Sequence, residues 1–320
     1  MKHTHMKRQT LLIICALFLA QLNVFSQTSY QPSHKVDLGV SIGSDGCGID
    51  VSTPINDILS LRAGLTFLPY FQVPVSFTFD SGKQEETEGE EPQTTEKMIE
   101  TLRNITGLEI DDKVTMIATP AWKSARVLLD VMPLENKHLH FTGGLYLSPS
   151  TVANIANAPE DASTLTSVCI YNYLYDKSVD EEPLISMGDF DLYSPTIQDR
   201  IVSYGRIGVP IGTRKADGKD YILYPTKDAT VTAKVKVPIV KPYLGAGYSG
   251  YLIPGNTDFS FSVDGGLMFL FKSPSVVMHD GTDIIHDLNE WNGRLQPICK
   301  TLRNLYAYPV VSFRISHKLF

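Results

Sequence analysis

The chain has 320 residues, 43% hydrophobic and 20% charged, enough for one large domain or two ordinary ones and too apolar for intrinsic disorder. Its one continuously apolar run, Leu11 to Ala20, is 10 residues long. A membrane-spanning helix needs roughly 18 to 20, so a polytopic helical membrane protein is excluded. A net charge of -7 offers no footing for phosphate backbones, and nucleic acid is not an expected partner.

The first 26 residues read as an export signal. Lys2, Lys7 and Arg8 precede the apolar run, and the small residues Val24 and Ser26 precede Gln27, the order of a secretory signal peptide. Its removal leaves residues 27–320 with a net charge of -10. Ile14 occupies the place where a lipobox needs Gly, Ala or Ser, so Cys15 is not read as a lipidation site. Cys47, Cys169 and Cys299 remain, too few for a disulfide framework.

From there the chain alternates. Val36, Leu38, Val40 and Ile42 are interleaved with polar or small residues, then Cys47, Ile49 and Val51. From Leu59 to Phe79 every odd position is apolar over 21 residues, a period of two that predicts strand rather than helix. The pattern recurs at Ala125 to Val131, Leu139 to Leu147, Phe259 to Phe271 and Val311 to Leu319. Between Thr230 and Gly250 the parity changes at Val240, which predicts a bulge or bend there. The predicted segments are 35–43, 47–53, 59–79, 112–132, 138–147, 230–250, 258–271 and 304–320. Their connections divide into tight turns at one end and, at the other, long loops at 80–111, 148–229 and 272–303.

A soluble β-sandwich also has alternating strands. Three stretches favour a barrel: Lys241-Pro242-Tyr243-Leu244-Gly245-Ala246-Gly247-Tyr248, the run from Phe259 to Ser273-Pro274, and Tyr308-Pro309-Val310-Val311-Ser312-Phe313-Arg314-Ile315. On these the chain resembles the small bacterial outer-membrane β-barrel proteins of the OmpA-like transmembrane-domain type. The resemblance implies an all-β, transmembrane, antiparallel up-and-down barrel of eight strands, or ten if the 148–229 segment hides two more, with short periplasmic turns and long extracellular loops. It also implies export to the outer membrane of a two-membrane bacterium, contact with outer-membrane lipid and lipopolysaccharide, and a terminal signal read by the barrel-assembly machinery. Phe313, Ile315, Leu319 and Phe320 are the residues for that signal, although Phe320 is out of phase with the other three and His317 stands where an apolar residue belongs.

If the apolar face meets lipid, Asp37, Asp50, Arg62, Arg126, Asp130, Asp264 and Arg314 point inward. An eight-stranded barrel is just wide enough to be filled by side chains, so these charges are expected to pair as a structural polar plug without an open pore. Tyr251, Phe259 and Phe320 are read as the periplasmic aromatic girdle, and Tyr70, Phe71, Trp122, Phe271 and Tyr306 as the outer one.

In the loops, the glutamates from Glu85 to Glu96 read as a solvated run, Met98 to Asn104 as a short helix, and Cys169 to Tyr175 as material for hairpins. His279, Asp280, Asp283, His286 and Asp287 lie close in sequence, but spacing alone does not make them a metal site, and no metal or cofactor is expected. Nucleophile and phosphate-binding motifs are absent. Ser316 and His317 are adjacent on a strand and face opposite ways, so an enzyme reading would need His140 as base. The expected role is structural or surface-interacting, through extracellular loops with an unidentified ligand and without catalysis. The alternatives are a transporter or small-molecule binding barrel and, behind it, a lipid A-modifying enzyme.

Overall fold

The computed structural model describes residues 35–78, 80–81, 103, 107, 113–134, 138–188, 190–293 and 295–319. Eight strands close a barrel: β1 (Asp37–Gly43), β2 (Gly46–Pro54), β3 (Leu59–Phe67), β7 (Lys123–Val131), β8 (Leu139–Leu147), β15 (Val240–Ile253), β16 (Asn256–Phe269) and β19 (Ala307–Lys318). Each pairs antiparallel with the next in the chain, and β19 returns to β1 with Val40 opposite Ile315. The meander has eight strands, and none of the described residues of 148–229 joins it.

Three predicted long strands are each two. The run 59–79 divides into β3 and β4 (Val73–Thr78), 112–132 into β6 (Lys113–Pro120) and β7, and 230–250 into β14 (Thr232–Lys236) and β15. The breaks carry Pro69, Pro120 and Pro238, and Pro149 divides β8 from β9 (Thr151–Asn157) in the same way. A proline has no N–H for the ladder, so pairing can stop and the chain bend beside it while the alternation runs on, whereas Pro74, Pro242 and Pro309 sit within paired strands. Backbone bonds bridge the bends, Ala121 N–H to Val152 O at 2.8 Å and Val237 N–H to Ser150 O at 2.8 Å.

Beyond the bends the chain builds a second layer at one end of the barrel. A five-stranded antiparallel sheet runs β17 (Ser275–Met278), β14, β9, β6, β4. A second sheet orders β13 (Asp220–Leu223), β12 (Ile207–Arg214) and β18 (Leu288–Trp291), with the short β5 (Asp80–Ser81) on β12. The hairpin β10 (Ile185–Met187) and β11 (Phe190–Leu192) lies in the chain between helices α1 (Ala162–Val179) and α2 (Pro195–Tyr204), and α3 (Leu295–Arg303) precedes β19.

The segments 148–229 and 272–303, expected as loops, are therefore mostly folded, and their apolar residues form one core with Val114 and Met116. Cys169 to Tyr175, expected as hairpin material, lies inside α1, whose Leu165, Val168, Asn172 and Tyr175 recur at helical spacing. The Asn172 side chain clamps Ile207, accepting from its N–H and donating to its carbonyl, both at 2.9 Å. The glutamate run 85–96 and, apart from Arg103, the predicted helix 98–104 lie outside the described residues.

Candidate functional site

The pleat sorts the barrel residues. Leu38, Val40, Ile42, Ile49, Leu65, Val127, Phe141, Leu244, Val263 and Phe313 all face outward and are exposed, while the intervening positions are buried or half-buried inside. Of the predicted lumen residues, Asp50, Arg62, Arg126, Asp264 and Arg314 are buried there, Asp130 is half-buried beside them, and Asp37 lines the lumen nearer the end with the short turns.

Two ion-pair clusters fill the middle of the lumen. Asp50 lies between two arginines, 2.7 Å from Arg126 Nη2 and 2.7 Å from Arg314 Nε. Ser41 and Ser52 take further guanidinium N–H groups at 2.8 and 2.9 Å. In the second cluster Arg62 Nη2 bridges Asp130 at 2.8 Å and Asp264 at 3.2 Å. His140 Nε2 and Ser262 Oγ complete Asp264, each at 2.8 Å, and Thr142 Oγ1 donates to Asp130 at 2.7 Å. Glycines make the room: a Cβ at Gly39 would lie 2.4 Å from Arg314 Nε, and one at Gly247 would lie 2.4 Å from His140 Nε2. Buried charges survive in low dielectric only when paired and hydrogen-bonded in this way.

On one side of these clusters, toward the second layer, Leu128, Tyr146, Tyr243, Met268 and Val310 pack into an apolar plug with Trp122 and Tyr308 against it. Trp122, expected in the outer girdle, is drawn inward, its ring 5.8 Å from that of Tyr308 and 5.3 Å from the wholly buried Lys241 ammonium. Lys241 also donates to Ser148 Oγ. Tyr70, Phe71, Phe271 and Tyr306 are exposed at the same end, as are Tyr251 and Phe259 at the other. On the side of the short turns the lumen opens as a polar vestibule of about 430 Å³, lined among others by Asp37, Ser60, Arg62, Asp130, His138 and His140.

Sequence reasoning did not place Asp45, His140 or Lys241 in this interior. Asp45 sits in the β1–β2 turn and reaches Arg126 at 3.6 Å, a contact that strand alternation cannot report. His140 had a legible signal, since it alternates with Leu139 and Phe141. Phe313, Ile315 and Leu319 share the outward face with His317, and Phe320 lies outside the described residues. Ser316 Oγ pairs with Ser260 Oγ at 2.6 Å, while His140 is engaged by Asp264.

The second layer holds a cavity of about 220 Å³ lined only by apolar side chains, among them Val114, Leu165, Ile211, Ala233, Ile284 and Leu302. Ala233→Leu, which adds bulk into it, is therefore expected to stabilise this layer by about 1 kcal/mol, read as a higher urea midpoint for proteolysis. Cys299 in the cavity wall is not a ready nucleophile, because burial pushes its thiol up to about 11. Of the sequence cluster at 279–287, His279 bonds the Tyr224 carbonyl, Asp280 accepts from Tyr221, and Asp283 meets His286 through its carboxylate and Asp287 through its N–H.

The fold and interior thus define a closed eight-stranded antiparallel barrel with a charged, plugged lumen and a folded layer across one end. No family model and no curated protein matches the chain. Similar solved structures include CarO2 of Acinetobacter baumannii, 12% identical over 89% of this chain and 98% of that one with a TM-score of 0.37. CarO of the same organism is 10% identical over 91% and 100%, with a TM-score of 0.37. A major outer membrane protein from Thermus thermophilus is 9% identical over 89% and 98%, with a TM-score of 0.29.

Proposed function

We propose that the chain is an outer-membrane β-barrel of the OmpA-like transmembrane kind, a closed anchor that holds its second layer outside the cell as an interaction surface. The observation that carries this reading is the belt of exposed aliphatic and aromatic side chains around the whole barrel, against a lumen that buries arginines and aspartates. Water-soluble proteins do not expose apolar surface on that scale. Most of the barrel strands have 9 to 14 residues, the length a tilted strand needs to cross a bilayer. The short turns then face the periplasm, and lipid and lipopolysaccharide surround the belt. The barrel-assembly machinery is its folding partner, with Leu319 serving as the terminal hydrophobe in phase with Phe313 and Ile315.

Membrane fractionation with boiled and unboiled gel samples tests this. The expected result is an outer-membrane protein whose band moves only after heating. A soluble protein without a shift overturns the reading. In a planar bilayer the plugged lumen is expected to pass no steady current, and a reproducible open-channel conductance would favour transport instead.

A further inference from the structure

Ser273 follows β16, and Asp283 and His286 lie between β17 and β18, outside the barrel. His286 Nδ1 is 2.8 Å from Asp283 Oδ2, and its Nε2 is 3.0 Å from Ser273 Oγ. With Nδ1–H donated to the carboxylate, Nε2 carries the lone pair that accepts the serine proton, the polarity a general base requires.

The acid is held in place. Asp283 Oδ1 accepts from Val276 N–H at 3.2 Å and Ile285 N–H at 3.1 Å, and Asp283 N–H donates to Asp287 Oδ2 at 2.9 Å. Burial works against the Asp283 carboxylate, but hydrogen bonds from Ser275, His286 and Ile285 hold it below the usual carboxylate range. Asp287, Lys215, whose Nζ donates to the His286 carbonyl, and Arg303, whose guanidinium donates to the Ile285 carbonyl, are further charged groups at the site. Ser273 is buried and the His286 side chain is 30% exposed, so the base meets solvent while the nucleophile is shielded.

A brace for the 279–287 turn needs only the Asp283 bonds. Ser273, ten residues earlier in the chain, adds the nucleophile on the opposite ring nitrogen. The apolar cavity of about 220 Å³ is lined by Val276, Met278 and Ile284 but by none of Ser273, Asp283 and His286, so it is separate from this cluster.

We propose that Ser273, His286 and Asp283 form a site that hydrolyses carboxylic esters. Ser273 Oγ bonds to the ester carbonyl carbon as its proton passes to His286 Nε2. The bond to the leaving alcohol breaks and that proton goes to the alcohol oxygen, leaving the acyl group on Ser273. Water then attacks the acyl carbon with its proton taken by Nε2, the Oγ–carbon bond breaks, Oγ regains the proton and the carboxylic acid departs. Asp283 acts through the ring as a positioning residue. The proposal does not depend on membrane insertion.

The test uses the full-length protein, folded in detergent as checked by the gel shift, with an alkyl fluorophosphonate as probe and p-nitrophenyl butyrate as substrate. The expected result is a label mapped to the peptide holding Ser273, abolished by Ser273→Ala, and slowed about a hundredfold or more by His286→Gln. Asp283→Asn is expected to slow labelling with the gel shift unchanged, and Asp283→Glu to recover part of the rate. If S273A does not fold, S273C replaces it, with iodoacetamide alkylation expected to depend on His286. No label on Ser273 in the natural chain, a label that survives S273A, or a rate within twofold of the natural chain in H286Q overturns the proposal.

Discussion

Asp50→Ala is expected to destabilise the barrel by at least about 3–5 kcal/mol, the cost of stranding one buried partner of an ion pair. The loss is large because one carboxylate serves two guanidiniums, Arg126 and Arg314, each at 2.7 Å and each almost entirely removed from solvent. Arg126 would keep Asp45 at 3.6 Å as its one carboxylate, whereas Arg314 would keep only the Ser52 hydroxyl. The remedy is to remove a balanced pair: Asp50→Ala combined with Arg314→Met leaves Arg126 with Asp45 and is expected to recover part of the loss, since neighbours in one network do not add. The denaturant midpoint for the change from the folded to the unfolded gel band reads both. A loss below about 1 kcal/mol in the single variant would mean that the lumen is solvated at this level.

Val40→Arg separates lipid from water. Val40 is 56% exposed, near the middle of β1, between Ile49 and Ile315 on the neighbouring strands. In water, an arginine at so exposed a position changes stability by no more than about 0.5 kcal/mol. In a bilayer it costs about 2–4 kcal/mol at the midplane and about 0–1 near the interfaces. His317→Arg, on the same outward face but near the end of β19, is the depth control and is expected to be nearly silent. Urea titration of the protein refolded in lipid vesicles compares the two. Equal and small effects would remove the barrel from the membrane.

Alternation was legible wherever a strand has one wet and one dry side, because successive side chains point oppositely whatever the strand pairs with. That is why Arg62, Arg126, Asp264 and Arg314 could be turned inward from their neighbours alone, and why strand parity held along β2, β7 and β16. The same property hid the bends. A strand that leaves the barrel for another sheet keeps its period, and only Pro69, Pro120, Pro149 and Pro238 mark where the ladder stops. In α1, β-branched and aromatic residues masked a helix whose buried positions Leu165, Val168 and Asn172 were already spaced for one.

Local pattern was thus sufficient for the strand-rich class, the inward charges and the outward belt, all of which depend on residues two apart. Partnership was not. Asp50 meets Arg314 across 264 positions because β1 lies between β2 and β19 in a closed ring, and Ser273 meets His286 because the chain turns back after β17. Such pairs depend on register and closure, which arise when the whole sheet and the second core pack at once. No spacing within a single strand encodes them.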